Sequence, residues 1–216
     1  MLVHFPATWG GVGGKASRQA EWRAMEAFVK AGKARAIGVS HYCKTHLDDI
    51  LEMSTIKPAV NQVQYHVGMG PLSIGNGDNA TDYKSYHKQI GVTYQSFSPL
   101  CGPCDGDDHM ELITGKLVTS IGAKYGKTGA QVALKWQVQS GIPVIPKTNK
   151  EEHMVQNIDL FSWTLSDEDS AHPRTPRPKC GSAPKLHQAH PCRSRSTPHP
   201  TEAAPRPPTC HPRCLQ

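Results

Sequence analysis

The segment from Ile142 to Asn157 holds the residues whose types and spacing suggest the clearest chemistry, which is anion binding. A short apolar run that is typical of a buried strand ends at Pro146 and delivers Lys147 and Thr148 to the start of a helical pattern. Unpaired N–H groups and the positive end of a helix dipole favour an anion there, and a lysine adds a mobile charge. The segment predicts a phosphate site, and an ordinary strand and helix with a surface lysine is the alternative.

Polar or aromatic side chains follow each of five apolar runs in the chain. They are His4, Ser40 and His41, Asn61 and Gln62, Phe97 and Ser98, and Lys147 and Thr148. In parallel α/β barrels, ligands bind at the carboxyl ends of the strands. Each residue alone also fits an ordinary structural role, such as a capped histidine or a packing phenylalanine. Their joint placement predicts one binding site at a single edge of the sheet.

Short apolar strands alternate with helical patterns along the chain, which is typical of parallel βα units. Strands are predicted at 1–6, 36–40, 59–64, 92–96 and 142–145, and helices at 18–31, 45–53, 81–89 and 128–139. The first helix has Trp22, Met25 and either Phe28 or Val29 at the spacing of one inward face. Five strands are more than half of a (β/α)8 barrel. The predicted fold class is therefore α/β, a partial TIM barrel.

Charge and proline divide the chain into two predicted regions, a folded domain at 1–170 and a disordered tail at 171–216. The tail has 11 prolines, 8 Lys or Arg and one acidic residue, for a charge of +8 − 1 = +7. The domain holds 24 − 8 = 16 basic and 18 − 1 = 17 acidic residues, for a charge of −1. A tail with so few aliphatic residues is not expected to fold. Since the folded part has no basic bias, no nucleic-acid partner is predicted for it.

The cysteines do not predict a metal site or a disulfide framework. In the tail, no CxxC pair accompanies the neighbouring histidines, so free thiols are expected there. Cys43, Cys101 and Cys104 do not follow the pattern of disulfide-rich secreted domains, which favours a reducing compartment. The chain has neither a signal-peptide pattern nor an apolar run of membrane-spanning length. A cytoplasmic protein without a membrane partner is predicted.

The glycine-rich stretch from Gly10 to Ser17 is not predicted to bind phosphate. The first glycine of a P-loop falls on Trp9, and Ala16 replaces its hydroxyl residue as well as the last glycine of a GxGxxG motif. The stretch is interpreted as a loop on the substrate side, where Trp9 lines an apolar pocket. An exposed linker is the alternative.

Several motifs, in order from residue 1 to about residue 169, closely resemble the aldo-keto reductases. The matching stretches are EWRAME at 21–26, GKARAIGVS at 32–40, NQVQYH at 61–66, SFSPL at 96–100, VIPKT at 144–148, Asn157 and LSDED at 165–169. The resemblance implies an NADP(H)-dependent oxidoreductase that reduces aldehydes or ketones by hydride transfer. It also implies that this chain corresponds to strands 4 to 8 of the family's barrel and lacks the first three βα units.

The resemblance also implies residue roles. His4 matches the active-site histidine, and Phe97 matches the aromatic residue that stacks on nicotinamide. The other implied cofactor contacts are Ser40, His41 and Gln62 with the carboxamide, Ser98 and Leu100 with the pyrophosphate, Lys147, Thr148 and His153 with the adenosine phosphate, and Asn157 with adenine.

Three departures from the family pattern affect the predicted function. His41 replaces an asparagine, and His153 replaces an arginine. The family's catalytic aspartate, tyrosine and lysine belong to the barrel strands that have no counterpart in this sequence. The prediction is a truncated reductase, whose activity as this chain is left open, with a non-catalytic NADP-binding module as the alternative. A nucleic-acid or scaffold contact through the basic tail ranks last.

Overall fold

A five-stranded parallel sheet forms the centre of the molecule. The computed structural model describes residues 1–7, 13–67, 80–101 and 108–171. The strands are β1 (Leu2–Val3), β2 (Gly38–Ser40), β3 (Val60–Gln64), β4 (Thr93–Phe97) and β5 (Val144–Ile145). They are hydrogen-bonded in chain order, and every neighbouring pair is parallel. The five predicted strands are confirmed, and the sheet is open, with β1 and β5 at its edges.

Helices connect these strands. They are α1 (Lys15–Lys30), α2 (Lys44–Leu51), α3 (Ala80–Ile90), α4 (Asp108–Glu111), α5 (Lys116–Tyr125), α6 (Gly129–Gln139), α7 (Glu151–Ile158) and α8 (Asp167–Ala171). The four helices predicted from periodicity correspond to α1, α2, α3 and α6. The helix α5 was not predicted, because its threonine, serine and glycine are weak helix formers and packing against α6 has to supply its stability.

The main core lies between the sheet and the helices. Alternate residues of β3 face this layer, so Asn61 and Val63 are buried while Gln62 and Gln64 are turned to the opposite face. Trp22 of α1 is fully buried in the same layer. The sequence left Phe28 and Val29 as alternatives for the inward position. Val29 packs against the core, and Phe28 points outward.

Two sequence-based expectations are wrong in detail. The strand β5 was expected to be buried, but it lies at the sheet edge and Ile145 is 43% exposed. In addition, Cys43 and Cys101 are each disulfide-bonded, which the sequence analysis did not predict. The C-x-x-C spacing of Cys101 and Cys104 was an overlooked signal of thiol chemistry, although Cys104 lies outside the described residues.

The remaining predictions about chain organisation fall largely outside the described residues. The predicted disordered tail begins at Ala171, which ends α8, and its other residues are not described. The glycine loop with Trp9 is also outside the described ranges. Within those ranges, no helix combines the length and the apolar character needed to cross a membrane. Nor does the described part gather three or more metal-ligating side chains at one point.

Candidate functional site

Four rings meet at the carboxyl ends of β1, β2 and β4. Phe5 stacks on His41 with ring centroids 4.6 Å apart and planes inclined by 16°. The His41 ring also lies 4.9 Å from Phe97, tilted by 55°, and 5.6 Å from His4. Because parallel strands end at one edge of the sheet, residues far apart in sequence come together here. Three of the four rings belong to sequence-predicted site residues, and Phe5 is an addition.

A pair of hydrogen-bond acceptors lies on the neighbouring strands β2 and β3. Ser40 and Gln62 are register partners, and Ser40 Oγ donates to the Gln62 carbonyl oxygen at 2.8 Å. Gln62 Nε2 donates to Gln95 Oε1 at 2.8 Å. The Ser40 hydroxyl proton is thus used, and Ser40 Oγ and Gln62 Oε1 keep acceptor lone pairs, with Ser40 only 2% exposed and Gln62 half-buried. Gln95 was missed, although its position two residues before Phe97 puts both on one strand face.

The backbone takes a left-handed conformation at two of the strand ends. His41 has φ +59° and Ser98 has φ +47°, a region that residues other than glycine enter infrequently. The His41 N–H donates to the Gln62 carbonyl oxygen at 3.0 Å, which ties the turn after β2 to β3. Left-handed residues of this kind cluster at functional sites, where surrounding contacts hold them in place.

Buried amides support these turns from the helix side of the sheet. Asn61 Nδ2 donates to the Tyr42 carbonyl oxygen at 2.9 Å, immediately after His41. Gln137 Nε2 donates to the Pro99 carbonyl oxygen at 2.9 Å, immediately after Ser98. Asn61 was one of the strand-end candidates, but it is fully buried in the helix-facing layer. It therefore supports the site and does not line it.

The helix α1 anchors the chain on both sides of residues 8–12. Glu21 Oε2 accepts the Ala7 N–H at 3.0 Å, and Arg18 donates to the Gly13 carbonyl oxygen at 2.6 Å. Arg18 is held in turn by Asp49 of α2, with Nε 3.0 Å from a carboxylate oxygen. Burial raises the pKa of Glu21, although the Ala7 N–H and Arg18 oppose this. These contacts fix the positions of Ala7 and Gly13 relative to α1.

The second group of predicted site residues lies at the start of α7. Lys147 is exposed, and Thr148 Oγ1 accepts the N–H of Lys150, the N-cap residue, at 3.1 Å. Thr148 Oγ1 is also 3.5 Å from His153 Nδ1, and Asn157 is half-buried one turn further along. The arrangement offers two exposed lysines, Lys147 and Lys150, with one hydroxyl and one imidazole at a helix start, which suits an anion.

A model of the aldo/keto reductase family matches residues 3–173 of the chain. This match covers nearly all of the described residues. The chain belongs to the aldo/keto reductase family. Its sheet agrees with that family's barrel fold: an aldo-keto reductase enzyme from a Medee basin deep-sea metagenome library superposes with a TM-score of 0.67 at 30% identity, over 80% of this chain and 57% of that one.

Curated aldo/keto reductase relatives show the same partial coverage. Glyoxal reductase of Bacillus subtilis is 35% identical over 168 residues, which is 78% of this chain and 52% of the relative. NAD(P)H-dependent D-xylose reductase xyl1 of Aspergillus niger is 35% identical over 163 residues, 72% of this chain and 48% of the relative. The chain thus spans about half the length of the curated relatives it matches.

Three described tyrosines of this aldo/keto reductase chain have a raised pKa, which is unfavourable for a proton donor. Burial raises the pKa of Tyr42 and of Tyr94, and burial with the Asp48 carboxylate raises that of Tyr86. A tyrosine that protonates a carbonyl oxygen needs a lowered pKa. Tyr65 accepts a hydrogen bond from Lys84 Nζ at 2.9 Å, but it is buried in the helix-facing core.

Leu100 and His41, two predicted cofactor contacts, are packed against other side chains of the protein. Leu100 packs against the small apolar cluster of Val67, Cys101, Leu112 and Ala133. Burial, with a smaller effect from the charge of His4, lowers the pKa of His41 to about 4. His41 is therefore neutral near pH 7 and offers a single N–H donor. Trp9, the predicted substrate contact, lies outside the described residues.

Proposed function

We propose that the chain binds NADP(H) and forms part of an oxidoreductase that reduces aldehydes or ketones to alcohols. The observation that carries this proposal is the acceptor pair of Ser40 and Gln62 on the neighbouring strands β2 and β3, with the Phe97 ring at the end of the next strand, β4. Family membership supports the reaction class. The names of two relatives refer to glyoxal and D-xylose, both small carbonyl compounds.

The nicotinamide end of the cofactor matches the polarity of this edge. A carboxamide NH2 group has two donors, which suit Ser40 Oγ and Gln62 Oε1. The ring of Phe97 provides a flat surface for stacking, which would select the nicotinamide face that points outward. When bound, the cofactor supplies a hydride to the carbonyl carbon. His4 would donate a hydrogen bond to the substrate oxygen and orient it, with Trp9 along the substrate pocket.

The start of α7 suits the adenosine 2′-phosphate. Lys147 supplies the positive charge, and Thr148 and His153 supply hydrogen-bonding groups. Glu151 and Glu152 in the first helical turn oppose an anion, so the attraction has to come from Lys147 and from Lys150 at the N-cap. Asn157 would contact adenine, and Ser98 with Leu100 would follow the pyrophosphate.

The binding proposal is tested by titrating the full chain with NADPH and following cofactor fluorescence. Lys147→Ala should weaken NADPH binding by about tenfold or more, because a charge-assisted contact to phosphate is lost. Binding of NADH, which has no 2′-phosphate, should change much less. Lys88→Ala is the matched control. Exposed Lys88 lies in the last turn of α3, just before the amino end of β4, whereas Lys147 follows the carboxyl end of β5. Equal losses for both lysine variants, or no NADPH binding at all, contradict the proposal.

A second candidate function is a non-catalytic NADP-binding module. The raised pKa values of Tyr42, Tyr86 and Tyr94 favour it, because these groups are poor proton donors. The two functions differ in turnover. Loss of NADPH absorbance in the presence of an aromatic aldehyde supports the reductase, whereas tight NADPH binding without turnover supports the module. In the reductase, His4→Ala should lower kcat more than NADPH affinity.

A cytoplasmic location is part of this proposal. The disulfide bonds of Cys43 and Cys101 do not favour a reducing compartment. Alkylation of the unfolded chain before and after reduction, followed by mass measurement, gives the redox state of these cysteines in cells.

A further inference from the structure

The ring of His41 lies against the ring of Phe97, which is the proposed stacking surface for nicotinamide. Its centroid is 4.9 Å from that of Phe97, and the 55° tilt turns the edge of one ring toward the other. Among the described residues, His41 is the one whose ring contacts Phe97. The proposed carboxamide acceptors start at Ser40, the residue directly before His41. A ligand ring that reaches both Ser40 and Phe97 therefore meets the imidazole.

His41 is held in this position from three directions. Phe5 stacks on it in nearly parallel planes, and His4 lies 5.6 Å away on the strand-β1 side. Its backbone N–H is bonded to the Gln62 carbonyl oxygen at 3.0 Å, and its φ of +59° sets the direction of the side chain. Histidine is among the residue types that tolerate this backbone region. The imidazole position is thus a property of the fold and not of a freely rotating surface residue.

We propose that the His41 imidazole occludes the nicotinamide site of this chain, so that the cofactor ring binds only after the imidazole swings away from Phe5 and Phe97. This inference rests on the proposed function. If the imidazole occupies the nicotinamide site, His41 lowers the affinity of the chain for the cofactor. The adenosine end of the cofactor, at Lys147 and Thr148, lies at a different strand end and is unaffected by the swing.

Two substitutions at His41 separate occlusion from any other role of the imidazole. His41→Gly removes the ring, and glycine adopts the left-handed backbone of this position without strain. His41→Phe keeps an aromatic ring in the stack with Phe5 and removes only the ring nitrogens. Occlusion predicts tighter NADPH binding by His41→Gly and no gain by His41→Phe, whereas a hydrogen-bonding role of the imidazole predicts a loss of affinity for both.

The experiment is an NADPH fluorescence titration of the full chain and both variants. We expect His41→Gly to bind NADPH roughly two- to tenfold more tightly, the range that one lost aromatic contact pair supports. His41→Phe should stay within about twofold of the parent chain or bind more weakly, because an aromatic contact of similar strength remains. Binding of adenosine 2′,5′-bisphosphate, which has no nicotinamide, should be the same for all three proteins and reports that each is folded.

The outcomes distinguish this inference from the proposed function. If all three proteins bind the bisphosphate equally and His41→Gly binds NADPH no more tightly than the parent, occlusion by His41 is wrong and the phosphate site stands. Weaker NADPH binding by His41→Gly would also show that occlusion by His41 is wrong. If none of the proteins binds either molecule, the proposed function and the occlusion fail together.

Discussion

Glu26 is a buried carboxylate whose removal gives a quantitative test of how the core is held. It lies on α1, is 4% exposed, and accepts hydrogen bonds from the Thr55 N–H at 2.7 Å and the Ile56 N–H at 2.9 Å through Oε1. Its Oε2 accepts from Thr55 Oγ1 at 2.9 Å. These bonds tie α1 to the loop that leads into β3. The perturbation is Glu26→Gln, which keeps the shape of the side chain and removes the charge.

The expected cost follows from these three bonds. A glutamine oxygen in the Oε1 position keeps both backbone donors, and its amide group reverses the bond with Thr55 Oγ1. Charge-assisted bonds contribute about 1.5–3 kcal/mol and neutral ones about 0.5–1.5 kcal/mol. Replacing three of the former by three of the latter, at about 1–1.5 kcal/mol each, lowers the free energy of unfolding by about 3–4.5 kcal/mol. Glu52→Gln is the control, because Glu52 pairs with Lys15 on the surface, where such pairs contribute little.

The assay is urea denaturation of the parent chain and both variants as a function of pH. Burial raises the pKa of Glu26, but the hydrogen bonds from Ile56 and Thr55 outweigh it, so the pKa lies below the ordinary 4.5. A lowered pKa stabilises the fold above pH 4.5, and this stabilisation is lost as the pH falls through the folded-state value. The difference between parent and Glu26→Gln should therefore be constant near neutral pH and shrink below pH 4.5. Equal effects of Glu26→Gln and Glu52→Gln, or a difference that grows on acidification, refute this reasoning.

Two further substitutions test how the strands and helices support the site. Gly38→Ala places a Cβ 2.6 Å from the Val60 carbonyl oxygen and 2.8 Å from Leu2, so it should destabilise the fold by about 1–3 kcal/mol through overpacking. Gly14→Ala meets nothing within 4 Å and should stay within about 0.5 kcal/mol; similar urea midpoints for the two alanine variants would falsify the steric argument. Trp22→Phe removes the indole N–H that donates to the Ile56 carbonyl oxygen at 3.0 Å and shrinks a fully buried ring, for a loss of about 1–3 kcal/mol. Trp163→Phe, whose indole is only half-buried, should cost less, and the opposite order in urea denaturation contradicts the burial argument.

The fold was largely predictable from the sequence because strands and helices have different apolar periods. Runs such as 59–64 and 92–96 are short, apolar and bounded by turn residues, and both became parallel strands. The inward positions Trp22 and Met25 followed from helical spacing. Buried polar residues did not follow, since Glu26 and Gln137 carry no local sign that partners from distant segments will satisfy them.

The candidate site was predictable in part. Ser40, Gln62 and Phe97 were named because each was expected to follow an apolar strand. Ser40 and Phe97 do end β2 and β4, but Gln62 lies in the middle of β3, so the rule was wrong for its position. Phe5 and Gln95 were missed, because their roles come from neighbours on other strands. The position of the His41 ring was not predictable either, since it depends on a left-handed backbone and on a stack with Phe5.

The amino-acid sequence alone specified the α/β class, the family and the strand ends that carry polar groups, because these depend on local periodicity and on motifs contiguous in the chain. Three-dimensional packing specified which hydrogen-bond donors are already used at Ser40 and Gln62, which tyrosines are buried, and which ring covers Phe97. Those properties arise from contacts between segments 20 to 60 residues apart, such as Ser40 with Gln62 and His41 with Phe97. Such contacts cannot be predicted from the residues next to each position. In the proposed function, they determine whether a cofactor ring can enter the site.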